Sequence, residues 1–182
     1  MIGNIFILCA LASAVYSLVM YAAGIKGEKT DILKARAGFY ISAVFIIAAS
    51  AILANAVLTH KFYYAYVFNY SSRELPFGLL LSTFFAGQEG SFLLWLLFSA
   101  IGGLFFIDYL AKRSDWEKYA MIPFLASIIF LLVLITPIMK SPFNYIWENE
   151  PVIELAKINH DLLTLPETSG MRYILILAAV QV

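Results

Sequence analysis

One cysteine, two histidines and 13% charged residues leave this 182-residue chain short of most groups that do chemistry in soluble enzymes. The single Cys9 excludes an internal disulfide framework and a cysteine-built metal site. Lying inside the first apolar run, it reads as a small apolar helix residue. No glycine-rich phosphate loop, nucleophile elbow or paired-histidine metal motif occurs. The 12 basic and 12 acidic residues cancel, so no overall charge argues for a nucleic-acid partner. What the chain has in plenty is apolar surface: 62% hydrophobic and 16% aromatic residues name the lipid bilayer as its solvent.

The N-terminus tests this reading against a secretion signal. Ala12-Ser13-Ala14 has the small-x-small look of a cleavage site, yet the first positive charge, Lys26, follows the apolar run instead of preceding it. That run extends from Ile2 to about Ile25, too long for a signal core, and predicts a retained membrane helix.

Crossing a hydrocarbon core of ~30 Å takes about 20 helical residues. Four stretches reach that length, roughly 3–25, 37–59, 90–111 and 119–139. A further apolar piece, Phe77 to Ala86 between Pro76 and Gly87, would reach about 15 Å at ~1.5 Å per residue and cannot span. It predicts a short interfacial helix, started by Pro76 and turned at Gly87. The fold expected is therefore all-α, a polytopic helical membrane bundle forming one membrane domain. Residues 171–182 start another apolar segment too short to cross, so the chain is expected to be incomplete at its C-terminus, as a piece of a longer protein or through a disrupted reading frame.

Loop charge sets the expected orientation. The 26–36 connection carries Lys26, Lys29, Lys34 and Arg36, and the 112–118 connection carries Lys112, Arg113 and Lys118. Short basic loops face the cytoplasm, which places Met1 outside, in a multi-pass protein of the inner (cytoplasmic) membrane. The opposite loops, 60–89 and 141–170, hold Glu74, Glu89, Glu148, Glu150, Glu154, Asp161 and Glu167. Within the spans, Pro123 is expected in a first helical turn and Pro137 at a kink or stop. Gly102-Gly103 permits close helix packing, and Asp108 is expected to snorkel inward. Six aromatics in the nine positions 62–70 suit an anchoring belt at the membrane boundary. The alternative is a flat apolar shelf for a porphyrin or a partner helix.

Few residues remain as candidates for chemistry. His60, beside Lys61, reads as an interfacial polar cap, and His160 lies in the acidic outer loop; imidazole also binds haem iron, so each stays open as a ligand. Glu89 follows a glycine turn at the mouth of the third span. It reads as a capping carboxylate or as an ion-pair and docking residue of an outer-face site.

Two stretches say more than "membrane". Tyr66-Val67-Phe68-Asn69-Tyr70-Ser71-Ser72-Arg73-Glu74-Leu75-Pro76 is followed, one short apolar helix later, by Gly87-Gln88-Glu89-Gly90-Ser91-Phe92-Leu93-Leu94-Trp95. Together with Ser141-Pro142-Phe143, they resemble the N-terminal part of the CcmF-type cytochrome c biogenesis proteins, over about residues 1–167. The resemblance implies a haem lyase subunit: delivery of haem b as substrate outside the cytoplasm, and its thioether attachment to the Cys-x-x-Cys-His motif of apocytochrome c. It implies as partners a haem chaperone and the apocytochrome c-handling subunits, besides membrane lipid. It also implies roles at one outer-face motif: Gly87 and Gly90 for the turn, Gln88 at a variable motif position, Glu89 at the site's rim, Ser91 for capping and Trp95 for packing. Tyr66, Asn69 and Pro76 are expected contacts to haem or a partner.

Departures from the family pattern shape the rest. Trp95, Trp116 and Trp147 are scattered, and no His-Pro-Pro occurs. The haem ligands are therefore expected outside this chain, which alone would be inactive, and its catalytic residues are unknown. Two other classes compete: a non-catalytic scaffold docking partners through the acidic 144–167 loop, and a transporter fragment using Glu89 and Asp108. The transporter would need polar groups deep in spans, where Ser, Thr and Asn55 are all that is offered.

Overall fold

Small residues recurring at alternating steps of three and four dictate how the first two helices meet. In the computed structural model, which describes residues 2–25, 29–72, 75–112 and 116–145, α1 spans Ile2–Ala23 and buries Gly3, Ile7, Ala10, Ala14, Ser17 and Tyr21. The second helix, α2 (Lys29–Leu58), answers with buried Ala35, Phe39, Ser42, Ile46, Ala49, Leu53 and Ala56. Both series follow the heptad spacing of helices crossing at a shallow angle. Small side chains let the two backbones approach until side chains bond across: Ser17 Oγ donates to the Ala35 carbonyl at 2.7 Å and Ser42 Oγ to the Ala10 carbonyl at 3.0 Å. Such bonds contribute ~0.6 kcal/mol each inside a membrane.

Two further long helices complete the bundle, α5 (Gln88–Ala111) and α6 (Glu117–Leu134). The α1 helix packs on α2 and α6, and α5 packs on the same two neighbours, so the four form a ring. All four are long and apolar enough to cross a membrane. The short elements α3 (Ala65–Tyr70), α4 (Phe77–Ser82) and a 3-10 turn (Thr83–Phe85) lie between α2 and α5 in the chain. The all-α polytopic architecture read from the sequence is the one found.

Several boundaries move, each for a physical reason. The second helix begins at Lys29, not near 37. Its charged first turns extend the helix past the apolar window, with Asp31 and Lys34 paired at i,i+3. The fourth long helix ends at Leu134, not 139: the chain tightens through Ile135 and Thr136 N–H bonds to the Leu132 and Val133 carbonyls, just ahead of Pro137. Pro123 lies inside α6, beyond the first turn expected for it. Of the glycine pair, Gly103 is the packing residue, since a Cβ there would meet Phe39 Cζ at 2.5 Å and Phe124 Cε1 at 2.8 Å; Gly102 faces open space.

Three of the six aromatics after α2 are buried within the protein instead of standing at a membrane boundary. Phe62, Tyr64 and Tyr66 are 2%, 6% and 4% exposed, and the segment following α6 folds over Tyr64. Ala65 N–H donates to the Asn144 carbonyl at 2.9 Å, and Tyr64 pairs with Tyr145 in an isolated antiparallel bridge. The Tyr64 ring stacks on Tyr145 at 5.5 Å and meets the edge of Phe143 at 5.9 Å. Phe143 is fully buried and reaches Gly3 at the start of α1, where a Cβ would meet its ring at 2.5 Å. Ser141 Oγ, donating to Asn4 Oδ1, fixes the same corner.

At the opposite end, Glu117 is 4% exposed and held from two helices. Arg36 of α2 grips it through a fork, Nε donating to Oε1 at 2.7 Å and Nη2 to Oε2. Tyr21 of α1 donates to Oε1 at 2.9 Å. Asp108 is exposed at this end of α5, beside Tyr40.

Candidate functional site

The two motif stretches meet at one phenol. Tyr66 on α3 is buried, and its Oη lies within hydrogen-bond distance of the Thr83 carbonyl at 2.9 Å and the Phe84 carbonyl at 3.0 Å, which share its single proton. As an acceptor, the same oxygen takes the Gly87 N–H at 3.1 Å. The hydroxyl thus satisfies the C-terminal carbonyls of the short helical segment and one free N–H at the start of α5. Burial, reinforced by the Glu89 and Tyr70 charges and opposed by the Gly87 N–H, pushes the Tyr66 phenol up to about 12. Burial likewise pushes Tyr64 up to about 12, with Tyr63 and Tyr145 adding to it.

This contact explains the glycines. A Cβ at residue 90 would occupy the space of the Tyr66 hydroxyl and the Phe84 carbonyl, and one at residue 87 would meet the Tyr70 ring at 2.5 Å and the Tyr66 ring at 2.7 Å. Gly87, with φ −98° and ψ 165°, is the N-cap of α5 and makes no side-chain cap bond. Ser91 is therefore not the expected cap. It sits one turn inside the helix, its N–H donating to the Gly87 carbonyl at 3.0 Å and its Oγ to the Phe85 carbonyl at 2.9 Å. Trp95 does not pack inside the bundle either: 65% exposed, it faces outward from α5 with Phe98 and Phe105.

Glu89 falls in the first turn of α5, where exposed N–H groups and the helix dipole favour a carboxylate by about 0.3–1 kcal/mol. It is half-buried and lines two adjoining cavities across the ends of α5 and α6. One, of about 330 Å³, is walled by Tyr66, Asn69, Tyr70, Lys140, Ser141 and Asn144. The other, of about 390 Å³, is walled by Gln88, Phe92, Leu134 and Ile138. Glu89, Met139 and Lys140 belong to both. Of the residues expected at the site, Tyr66, Asn69, Gln88 and Glu89 converge here, while Pro76 stands apart as the exposed N-cap of α4.

Lys140, Ser141 and Asn144 were not foreseen in the site. The sequence marked Ser141-Pro142-Phe143 but gave no sign that the chain turns back over Tyr66 after α6. Among the described residues no three His, Cys, Asp or Glu side chains converge as metal ligands would. His60 sits at a positive φ of 52°, its ring stacked on Phe62 at 5.8 Å and its Nδ1 buried without a hydrogen-bond partner. His160, Trp147, the acidic residues beyond 145 and the apolar 171–182 segment lie outside the described residues.

No protein-family model matches the chain. It is 27% identical over 172 residues to a cytochrome c-type biogenesis protein CcmF from Pseudomonas fluorescens, across 93% of this chain. The chain spans 25% of that relative's length. Among solved structures it superposes on a cytochrome c haem lyase CcmF with a TM-score of 0.68 and 26% identity, across 85% of this chain and 27% of the other. Sequence and fold carry the same likeness, and along most of its own length this chain is similar to CcmF-type cytochrome c biogenesis proteins.

Proposed function

We propose that this chain serves cytochrome c maturation as part of a haem lyase subunit in the cell membrane. Its N-terminus and the Tyr66–Glu89 end of the bundle lie outside the cytoplasm. In this reading the chain helps present haem b, the substrate, for covalent attachment to apocytochrome c. A haem chaperone and the subunits that handle the apocytochrome are its partners. The haem ligands come from outside this chain, and its own residues shape the rim of the site.

One observation carries the reading: Tyr66 Oη ties both stretches of the CcmF-like pattern into a single rigid end-face, with Glu89 lining the groove beside it. A rigid end-face holding a half-buried carboxylate is suited to orienting a partner or a substrate edge at the membrane surface. The remaining residues of the pattern have structural work. Gly87 and Gly90 admit Tyr66, and Ser91 holds the turn before α5.

The test uses cells that express a c-type cytochrome with a Cys-x-x-Cys-His site. Deleting the segment that encodes this chain should abolish covalently bound haem, read by peroxidase staining of denatured protein. Glu89→Ala should lower the holocytochrome yield while membrane insertion is retained. An unchanged yield after deletion overturns the reading, and an unchanged yield for Glu89→Ala alone removes Glu89 from the site.

A further inference from the structure

The maturation reading places Glu89 on the groove across the ends of α5 and α6 but leaves unused the cation that shares it, Lys140. Glu89 and Lys140 both line its two halves, yet among the described residues neither forms an ion pair, with the other or with anything else. One half adds amide and hydroxyl groups, from Asn69, Asn144 and Ser141. The other is apolar and runs from the same two charges past Phe92 and Leu134. The charges stand where α5 begins and α6 has ended, at the end of two helices long and apolar enough to cross a membrane. Ile138 and Met139, 89% and 57% exposed, leave large apolar side chains uncovered at that end.

We propose that this groove seats one phospholipid with a zwitterionic, primary-ammonium headgroup, of the phosphatidylethanolamine type. Lys140 takes the phosphate and Glu89 takes the ammonium. The Asn69 and Asn144 side-chain amides offer hydrogen bonds to the remaining phosphate and ester oxygens, and an acyl chain covers Phe92, Leu134 and Ile138. Charge complementarity selects this headgroup. A glycerol headgroup carries no cation of its own to pair with Glu89. A choline headgroup has no N–H to donate to the carboxylate. Phosphate and ammonium in one molecule neutralise both side chains where solvent screening is weakened.

The lipid site shares Glu89 with the maturation reading but is tested apart from it, because retained lipid is read without haem or a cytochrome. The 182-residue chain is reconstituted in vesicles of equal parts phosphatidylethanolamine, phosphatidylglycerol and phosphatidylcholine, extracted in mild detergent and weighed by native mass spectrometry. Phosphatidylethanolamine should be retained over each of the others by roughly fivefold. Glu89→Gln should erase the preference over phosphatidylcholine, and Lys140→Gln should lower retention of all three. Equal retention of the three lipids, or a preference that survives both substitutions, overturns the proposal. So does displacement of the lipid by a stoichiometric amount of haem, which would assign the two charges to the porphyrin substrate, or an assembly that carries no lipid and dimerises through the groove.

Discussion

The Tyr66 hydroxyl fills the space that a Cβ on Gly90 would need, and the Phe84 carbonyl crowds the same point. The glycine is therefore a steric requirement and not a helix-propensity choice. Alanine in its place would gain up to ~1 kcal/mol in intrinsic helix propensity. Against that gain, Gly90→Ala is expected to destabilise by about 3 kcal/mol, because one of the clashing groups is backbone and cannot rotate away. Gly87→Ala should cost less, about 1–2 kcal/mol, since it meets only the Tyr70 and Tyr66 rings. Unfolding by SDS titration in mixed micelles measures both. Adding Tyr70→Ala should recover part of the Gly87→Ala loss and none of the Gly90→Ala loss; equal recovery would refute this account.

The Arg36–Glu117 fork joins α2 to α6 at the other end of the bundle, with Tyr21 bringing in α1. Removing one partner leaves a desolvated charge, so Arg36→Met should cost about 3–5 kcal/mol. Glu117→Gln keeps an acceptor for Tyr21 and should cost less. The double variant Arg36→Met with Glu117→Leu should recover most of the loss, because the desolvation penalty disappears with the charges. A double variant as unstable as Arg36→Met alone would show that the pair contributes net attraction.

Those two contacts mark where the sequence was legible and where it was not. The bundle was readable because a membrane helix advertises itself by length and apolarity, and four runs met that requirement. The Gly87–Trp95 turn was readable because glycines bracket its carboxylate. The fork was hidden: Arg36 and Glu117 are 81 residues apart and stand among basic loop charges that read as solvated. The burial of Phe62, Tyr64 and Tyr66 was hidden for a related reason. A tyrosine at a membrane boundary and one buried under a returning chain look alike in sequence, and what decides is Phe143 and Tyr145, about 80 residues on. That Trp95 faces outward was not legible, because the composition of α5 is apolar all round and no polar stripe told which face turns inward.

Alkaline pH gives a direct readout of the Tyr66 contact. A phenol titrates near 10 when unfolded, and burial holds Tyr66 up to about 12 in the fold. Below pH 10 the group is neutral in both states, and its contribution to stability is whole. Between 10 and about 12 the unfolded chain ionises first, so stability falls, and the contribution is lost as the pH rises through the folded value. Tyr64 is raised to about 12 as well and titrates in the same window. Tyr66→Phe should therefore lower stability at neutral pH by about 1 kcal/mol through the lost hydrogen bonds. It should also flatten the fall between pH 10 and 12 by about 1.4 kcal/mol per unit. A slope unchanged by the substitution would place the titrating groups elsewhere.

His60 offers a test of structure against ligation at one residue. Its N–H donates to the Val57 carbonyl and the Lys61 N–H to the Ala56 carbonyl, the paired bonds that close a helix through a left-handed residue. With φ at 52° in a side chain that has a Cβ, the position carries a strain of ~1 kcal/mol that glycine lacks. His60→Gly should raise stability by about 0.5–1 kcal/mol, the gain reduced by the lost stacking on Phe62. His60→Ala keeps the strain and loses the ring, so it should destabilise. Thermal unfolding followed by circular dichroism orders the three proteins as glycine above histidine above alanine. If His60 also serves as a ligand, His60→Gly will give a more stable chain whose cells make less holocytochrome, and stability and yield will move in opposite directions. With the haem ligands outside this chain and His60 closing α2, the expected outcome is a more stable chain with its yield intact.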